Sequence, residues 1–166
     1  TSQTVSIPLI DDNIYEPTET VNLTLSNPTG GATLGAQQAA TLNIVDDDAQ
    51  PGVIQFAGST FSVSENSTEA VVQLIRSGGQ DGPVSVRINL GNGTASAGSD
   101  YLSSPITVGF ANGESAKIIA VPLIDDNLAE ATETIQLGLS NPTGGATLGA
   151  QTTAVLTILD EDPPQK

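Results

Sequence analysis

The sequence contains no cysteine, histidine, tryptophan or methionine, and its aromatic residues are three phenylalanines and two tyrosines. Without cysteine, the chain has neither a disulfide framework nor thiol chemistry. Zinc is disfavoured because histidine and cysteine are its usual ligands, and the commonest general acid-base residue is missing. No hydrophobic run approaches the roughly 18 residues of a membrane-spanning helix. These absences count against an enzyme and against direct membrane insertion.

Positive charge is also scarce, with four Lys and Arg against 19 Asp and Glu and a formal net charge of -15. Nucleic acid and anionic membrane surfaces are poor partners for this chain, because phosphate binding depends on Lys and Arg. An acidic chain with 3% aromatic residues could be disordered. Against disorder, 37% of the residues are hydrophobic and they fall in short, orderly runs.

One internal repeat dominates the chain. Residues 8–13 return unchanged at 122–127, an offset of 114 (122 minus 8), and residues 25–37 return as 139–151. A period of this length is typical of a β-sandwich domain and too long for a solenoid repeat. We therefore predict a complete domain at 53–162, preceded by the C-terminal half of another at 1–48. Residues 49–52 are the predicted linker, and 163–166 are predicted to begin the next one. The chain opens mid-pattern and without a secretion signal, so we expect it to be a piece of a longer protein.

The secondary structure is predicted to be β throughout. Short runs of alternating polar and apolar residues, separated by turn residues, indicate an antiparallel, immunoglobulin-like Greek-key sandwich. The half-domain is expected to offer about three strands. Asn112-Gly113 predicts a hairpin, and 141–145 is predicted to be a loop because it is rich in Pro and Gly. The predicted strands of the complete unit are Thr60–Ser64, Val71–Ile75, Val84–Leu90, Ile106–Phe110, Ile119–Leu123, Thr134–Leu139 and Ala154–Ile158.

Acidic residues gather where strands end, and alternate strand ends of an antiparallel sandwich meet at one pole. Carboxylates collected there repel one another unless a cation lies among them. Calcium suits such a site, since it takes six to eight oxygen ligands in loose geometry, whereas magnesium needs a tighter octahedron. The alternative is that these acids are ordinary solvated charges. The candidate ligands of the complete unit are Glu65, Asp100, Asp125, Asp126, Glu130, Asp160, Glu161 and Asp162. Their first-half counterparts are Asp11, Asp12, Glu16, Asp46, Asp47 and Asp48.

The same residues carry a family resemblance. The elements Phe61-x-Val63-x-Glu65, Gly98-x-Asp100-Tyr101 and Asp125-Asp126-x-x-x-Glu130, followed by a triple-acid strand exit, together resemble a Calx-beta domain. The resemblance covers 53–162 and, as a half-domain, 5–48. It implies a seven-stranded immunoglobulin-like sandwich and a cluster of calcium ions held by the eight acids just named. Glu161 departs from the family pattern. The calcium sensors of sodium–calcium exchangers, which belong to this family, have Asp at this position, and the longer Glu side chain could alter one ligand.

Three further features receive weaker interpretations. Glu133 and Glu19 are weaker candidate ligands, and as strand-start residues their side chains are expected to face solvent. Tyr101 is predicted to pack beside its loop. The triplets Asn22-Leu23-Thr24, Asn66-Ser67-Thr68 and Asn92-Gly93-Thr94 fit the N-glycosylation pattern, which is common by chance, and we assign them no role.

The predicted function is a calcium-binding tandem module of a larger secreted or surface protein, with a bacterial source favoured by the near-identical repeats. The acids at 46–48 stand directly before the linker, so calcium is expected to stiffen the junction between repeats. The first half lacks N-terminal ligands and should bind more weakly or not at all. Because 1–48 nearly duplicates 119–162, we also expect that strand exchange could form a homodimer. Alternatives are a metal-independent spacer or adhesion stalk, and a regulatory calcium sensor of a membrane transporter.

Overall fold

The structure, a computed structural model, describes residues 2–163, and the chain divides between Ala49 and Gln50 into two compact units. Of the predicted second linker, only Pro163 belongs to the described residues. Residues 2–163 include no helix that is long and apolar enough to span a membrane.

The first unit contains two strands, β1 (Glu19–Thr24) and β2 (Ala39–Ile44). They pair antiparallel, with Glu19 opposite Ile44 and Thr24 opposite Ala39.

The second unit is a two-sheet β-sandwich, which confirms the predicted fold class. One sheet has the order β10-β3-β5-β8 and the other has the order β4-β11-β9-β6-β7. Its strands are β3 (Val53–Phe56), β4 (Thr60–Ser64), β5 (Glu69–Ser77), β6 (Val84–Asn92), β7 (Ile106–Phe110), β8 (Ala116–Pro122), β9 (Glu133–Thr143), β10 (Thr147–Leu148) and β11 (Thr153–Leu159).

Alternation along the strands builds the core between the two sheets. In β5 every second residue from Ala70 to Arg76 is buried, and β9 buries Ile135, Leu137 and Leu139 in the same way. Successive side chains of a strand point to opposite faces, so a period of two aims one set at the facing sheet. Phe56 and Phe61 meet edge to face, with ring centroids 6.3 Å apart. This core fixes the strand ends, and therefore the loops, at the two ends of the sandwich.

Strand pairing departs from the prediction in two places. Two pairs are parallel, β3 with β10 and β4 with β11, whereas the pattern predicted antiparallel pairing throughout. The turn at Asn112-Gly113 is present, with Gly113 at φ 78°, but it does not close a hairpin. Its flanking strands lie in different sheets, because β7 pairs with β6 and β8 pairs with β5. An Asn-Gly sequence therefore predicts the local turn, but it does not determine which strands pair with one another.

Strand lengths also differ from those predicted. The short strands β3 and β10 were not identified from the sequence. The predicted loop at 141–145 begins later, because β9 continues through Pro142 to Thr143. Asn141 reaches φ 50° there, and a register shift lies opposite it between Ser85 and Arg87. Pro142 therefore lies in an irregular stretch near the end of the strand, and the turn begins only at Gly144.

The prediction of three strands in the first half-domain is wrong. The segment at 2–8 corresponds to β8 by the 114-residue offset, yet the structure assigns no strand there. In the second unit β8 has a single strand neighbour, β5. The first unit has no counterpart of β5, so its β8-like segment lacks a hydrogen-bonding partner.

Candidate metal site

Parallel pairing of β4 and β11 brings two acidic segments to the same end of the sandwich. Ser64 lies opposite Leu159, so the residues that follow both strands are neighbours. The Glu65 amide donates to the Leu159 carbonyl at 2.9 Å, and the Ser64 hydroxyl donates to Glu161 Oε2 at 3.0 Å. Glu65 is 5% exposed. One carboxylate is thus held almost buried beside the triple-acid exit.

Antiparallel pairing adds Glu133 to this end. Glu133 starts β9 directly opposite Ile158, two residues before Asp160. By strand alternation it shares the inward phase of Ile135 and Leu137, and its side chain is half-buried. The interpretation of Glu133 as a solvent-facing residue is therefore wrong. The sequence signal that could have revealed this is the alternation along β9, which places Glu133 on the same face as the apolar residues Ile135 and Leu137.

The loop between β6 and β7 delivers Asp100. Its carboxylate accepts a hydrogen bond from the Ser96 amide, and its own carbonyl accepts one from the Ile124 amide at 2.9 Å. Tyr101 is fully buried and donates its hydroxyl to Asn92 Oδ1 at 2.6 Å, which confirms its predicted packing role. These bonds fasten the loop to the end of β6 and to the segment after β8, and they hold Asp100 at 8% exposure.

The segment between β8 and β9 supplies three more acids. Asp126 Oδ1 accepts a hydrogen bond from the Leu128 amide at 2.7 Å, a local turn that Asp favours. Asp126 is half-buried, whereas Asp125 and Glu130 are exposed. We call the nine acids of this end the acidic pole: Glu65, Asp100, Asp125, Asp126, Glu130, Glu133, Asp160, Glu161 and Asp162.

Three members of the acidic pole converge most tightly. One carboxylate oxygen from each of Asp100, Glu130 and Glu133 lies within 4.8 Å of the others. Calcium–oxygen bonds measure about 2.3–2.6 Å, so oxygens around one ion are separated by at most roughly 5 Å. The three oxygens therefore have the spacing of ligands to a common ion.

Electrostatic effects show how closely the acids crowd one another. The pKa of Glu65 is raised to about 7, first by burial and then by the charges of Glu130, Asp126, Asp160 and Glu161. The pKa of Glu133 is also raised to about 7, by burial and then by a hydrogen bond and charge repulsion from Asp100. Glu133 and Asp100 therefore lie close enough for a single cation to contact both carboxylates.

The rest of the acidic pole belongs to the same cluster. Burial raises the pKa of Asp162, as do the charges of Glu161, Asp160, Asp125 and Asp126. Burial also raises the pKa of Glu130, followed by the charges of Asp100, Asp126 and Asp160. Every charged group behind these shifts is another acid. A chain of such repulsions links all eight residues predicted as ligands in the complete unit, and among residues 2–163 no cationic side chain contributes to these shifts.

In the first unit the six predicted ligands also come together. They line a cleft of about 490 Å³ with Glu19, the counterpart of Glu133. The pKa of Asp48 is raised by burial and then by Asp46, Asp47, Asp11 and Asp12. One Asp46 carboxylate oxygen is buried without a hydrogen-bond partner. The predicted residues that line this cleft are Asp11, Asp12, Glu16, Asp46, Asp47 and Asp48.

The second unit is thus a β-sandwich module whose acidic loops gather at one end. The family model of the Calx-beta domain matches residues 1–48 and 47–162. The chain belongs to the Calx-beta family, and it contains parts of two such domains in tandem.

Relatives place this family in large multidomain proteins. The chain is 34% identical over 175 residues to adhesion G-protein coupled receptor V1 of Danio rerio and 32% identical over 169 residues to extracellular matrix protein 3 of Lytechinus variegatus. It is 29% identical over 140 residues to the sodium/calcium exchanger Calx of Drosophila melanogaster. These matches cover 96%, 95% and 84% of the chain but 3%, 5% and 15% of the relatives. The three are animal proteins, so they give no support to a bacterial source.

Solved structures agree with the fold. The apo-form Calx CBD1 domain superposes with a TM-score of 0.62 at 31% identity, covering 66% of this chain and 96% of that one. The calcium binding domain CBD12 of CALX1.1 gives the same TM-score and identity, with 46% of that chain covered.

Proposed function

We propose that the second unit binds calcium through its acidic pole. The observation that carries this proposal is the convergence of Asp100, Glu130 and Glu133, whose carboxylate oxygens lie within 4.8 Å of one another. The two similar solved domains support it, since one of them is described as a calcium binding domain.

The donor set fits calcium better than other metals. Every candidate ligand is a carboxylate, and the sequence offers neither histidine nor cysteine for zinc. The acids come from four separate loops, which gives the variable geometry that calcium accepts and the magnesium octahedron does not. Glu65 and Asp100 are buried at 5% and 8% exposure, so an ion there would be partly removed from water.

Within this proposal the residues have different roles. Asp100, Glu130 and Glu133 share one ion, with Ser96 and Ile124 fixing the Asp100 loop through their amides. Glu65 joins that group to Asp160 and Glu161 on the β11 side. A bound calcium ion would offset the repulsion among these carboxylates. A ligand that binds only the folded state stabilises it by RT ln(1 + [L]/Kd). The number of ions depends on how Asp125 and Asp162 are used.

Titration calorimetry of the full chain tests the proposal with a matched pair of variants. Asp100→Asn removes one charge from the tight group, whereas Asp81→Asn removes one from the opposite end of the sandwich. We expect Asp100→Asn to weaken calcium binding by tenfold or more and Asp81→Asn to change it less than twofold. Equal affinities for calcium in both variants, or equal heats for calcium and magnesium, would contradict the proposal.

The first unit has an incomplete version of this site. Its cleft holds Asp11, Asp12, Glu16 and the acids at 46–48, but the unit has no counterparts of Glu65 and Asp100, which precede the repeated half. We propose that it binds calcium more weakly than the second unit, with Glu19 in the place of Glu133. Calorimetry of Glu133→Gln and Glu19→Gln separates the two sites, since only the first change should affect the tighter binding event.

We further propose that calcium stiffens the junction between consecutive repeats, because Asp46, Asp47 and Asp48 stand immediately before it. The relevant protein is a longer chain with two complete repeats. We expect its small-angle scattering profile to show a narrower range of interdomain distances in calcium than in chelator. Identical profiles in both conditions would leave calcium binding intact and remove its mechanical role.

Two alternatives share the fold. A metal-independent spacer or adhesion stalk is consistent with the adhesion-receptor and matrix relatives, and it predicts melting that chelator does not change. A regulatory calcium sensor of a membrane transporter is consistent with the exchanger relative. Catalysis receives no support from a family of binding modules. The same relatives support an extracellular or cell-surface position for the parent protein, which we propose without assigning its source.

Strand exchange into a homodimer, which the repeat predicted, has no support from the relatives and would bring no gain in completed domains. Each chain carries one N-terminal half, 53–118, and two C-terminal halves, 1–48 and 119–162. Exchange replaces one C-terminal half by another and completes no additional domain. We therefore expect sedimentation to show a monomer, and a concentration-dependent dimer would reinstate the exchanged form.

A further inference from the structure

One cationic side chain among residues 2–163 is buried and bonds to no carboxylate. Arg76, on β5, is 2% exposed, whereas Arg87 on β6 is exposed and Lys117 on β8 pairs with Glu114 at 2.6 Å. Among residues 2–163 Arg76 forms no ion pair. Burying a charge is costly unless it is paired or fully hydrogen-bonded, so the bonds of Arg76 indicate what its burial achieves.

The guanidinium of Arg76 donates to four backbone carbonyls. Nε bonds the Pro51 carbonyl at 2.7 Å, and Nη1 bonds the Ala111 carbonyl at 3.1 Å. Nη2 bonds the carbonyls of Asp81 and Gly82 at 2.7 and 3.1 Å. A planar fork with five N–H groups can reach several acceptors at once, and lysine has no equivalent geometry.

These acceptors belong to three segments that meet at the end of the sandwich opposite the acidic pole. They are the segment that enters the second unit (50–52), the turn after β5 (78–82) and the turn after β7 (111–113). Further bonds join them without Arg76. The Gln50 amide donates to Asp81 Oδ2 at 2.9 Å, the Asp81 amide donates to the Gln50 carbonyl at 3.1 Å, and the Thr147 amide donates to the Gly52 carbonyl at 3.1 Å.

Two glycines permit the close approach of these segments. A Cβ on Gly52 would lie 2.2 Å from the Gly79 carbonyl oxygen, and a Cβ on Gly79 would lie 2.1 Å from the Gln50 carbonyl oxygen. Gly52 is also at φ 82° and Gly79 at φ 150°. Residues 50–52, predicted as a linker, are therefore packed as part of the second unit.

We propose that Arg76 is a positioning residue that clasps the entering segment, Gln50–Gly52, to the body of the second unit. The free joint between consecutive repeats is then confined to Ala49, directly after the acids at 46–48. The clasp uses no acid of the acidic pole and holds with or without calcium. Of the four predicted linker residues, only Ala49 then remains free to change its backbone angles. This limits the range of orientations between consecutive domains.

Amide exchange and relaxation measured by NMR on the full chain test the clasp. In the unaltered protein we expect the Gln50 and Gly52 amides to have order parameters of about 0.85, typical of rigid backbone, and the Ala49 amide a lower one. In Arg76→Lys, which keeps the charge but not the fork, the Asp81 and Thr147 amides should exchange at least tenfold faster. The Leu139 amide, which bonds the Thr152 carbonyl at 2.8 Å in the sheet core, should be unchanged.

The control variant is Arg87→Lys, which makes the same substitution on an exposed strand position and should alter none of these amides. Equal acceleration at Leu139, Asp81 and Thr147 would show that Arg76 only supports global stability and would overturn the proposal. So would unchanged exchange at Asp81 and Thr147 in a folded Arg76→Lys protein.

If Arg76→Lys does not fold, Arg76→Gln decides the question, because it removes the buried charge and most of the donors to these carbonyls while keeping a polar side chain. Faster exchange at Asp81 and Thr147 but not at Leu139 supports the clasp, and unchanged exchange contradicts it. Chelator should leave all these rates unaltered. Loss of calcium binding would therefore refute the proposed metal site while leaving the clasp in place.

Discussion

The two units contain related 48-residue sequences, 1–48 and 115–162, in different surroundings, and the comparison separates local from nonlocal structure. β1 and β2 pair in the same register as β9 and β11, since Glu19 faces Ile44 as Glu133 faces Ile158. The turn in which Asp12 Oδ1 accepts from the Ile14 amide at 2.7 Å reappears as the Asp126 turn at the same distance. Both features are encoded within the repeated segment.

Burial distinguishes the two copies. Leu23 and Leu42 are 39% and 36% exposed, whereas their counterparts Leu137 and Leu156 are 2% and 0% exposed. The difference comes from β3–β7, which have no counterpart in the first unit: β3 and β5 lie in the sheet that faces β9 and β11, and β4, β6 and β7 extend their own sheet. The same strands supply Glu65 and the Asp100 loop. The repeated half thus encodes a strand pair and one side of an acidic cleft. The other half of the domain buries the strand pair and supplies the remaining acids.

The largest difference between the copies should appear when equivalent leucines are truncated. Leu137→Ala opens a cavity in a closed core and should lower the free energy of unfolding by about 2–5 kcal/mol. Leu23→Ala removes a half-exposed side chain and should cost under about 1 kcal/mol. Native-state amide exchange measures each effect in its own unit, at the Leu139 amide for Leu137→Ala and at the equivalent Leu25 amide, which bonds the Gln38 carbonyl at 2.8 Å, for Leu23→Ala. Equal effects would mean that the first unit is packed as fully as the second.

Sequence reasoning recovered much of the fold because alternation and turn residues are local signals. The sandwich, the positions of seven strands and the convergence of eight acids were all predicted. The pairing partners were not, since β4 and β11 run parallel through contacts nearly 100 positions apart in the chain (155 minus 60 is 95). Val53–Phe56 and Thr147–Leu148 were missed because four and two residues are too short to show a period.

A smaller difference between the two units should appear in chelator, where the stability of the second unit should depend on pH. The folded pKa values of Glu65 and Glu133 lie near 7, above their ordinary value of 4.5. Between these values the native state binds more protons than the unfolded state, so the free energy of unfolding falls as pH rises from about 4.5 to 7. The fall should be on the order of 1–3 kcal/mol and level off above that window. Thermal melts across this pH range provide the measurement.

Glu65→Gln is the matched variant for this effect, because its amide keeps the size of the side chain and removes its titration. We expect the slope of stability against pH to decrease in Glu65→Gln and to persist in Glu69→Gln, which alters an exposed residue at the start of β5. The same slope in both variants would show that Glu65 does not titrate in this window.

The smallest expected difference concerns the two equivalent turns. Asp126→Asn keeps the side-chain oxygen that accepts from Leu128, so the turn survives while one ligand charge is lost. Calcium affinity of the second unit should fall about tenfold, or about 1.4 kcal/mol. Asp12→Asn is the same change in the first unit and should leave that affinity within twofold. Calorimetry compares them, and matching losses would mean that both clefts contribute to one binding event.

The sequence predicted eight members of the acidic pole but missed Glu133, which belongs to the tightest group. Acids that recur at strand ends marked the site, but solvent exposure could not be read from the pattern. Glu65 and Asp100 are buried by neighbours from β11 and from the segment after β8, which are distant in the chain. The carbonyl cluster around Arg76 escaped prediction for the same reason, since backbone acceptors leave no mark in a sequence.

The central claim, a specific calcium site in the second unit, is tested most directly by thermal melts of this chain in chelator, in millimolar calcium and in millimolar magnesium. A site filled at 100 times its Kd adds about 2.7 kcal/mol, which corresponds to an upward shift in Tm of roughly 10 °C. We predict that shift in calcium and little change in magnesium. Identical melting in all three conditions would contradict the claim and identify the module as a metal-independent spacer.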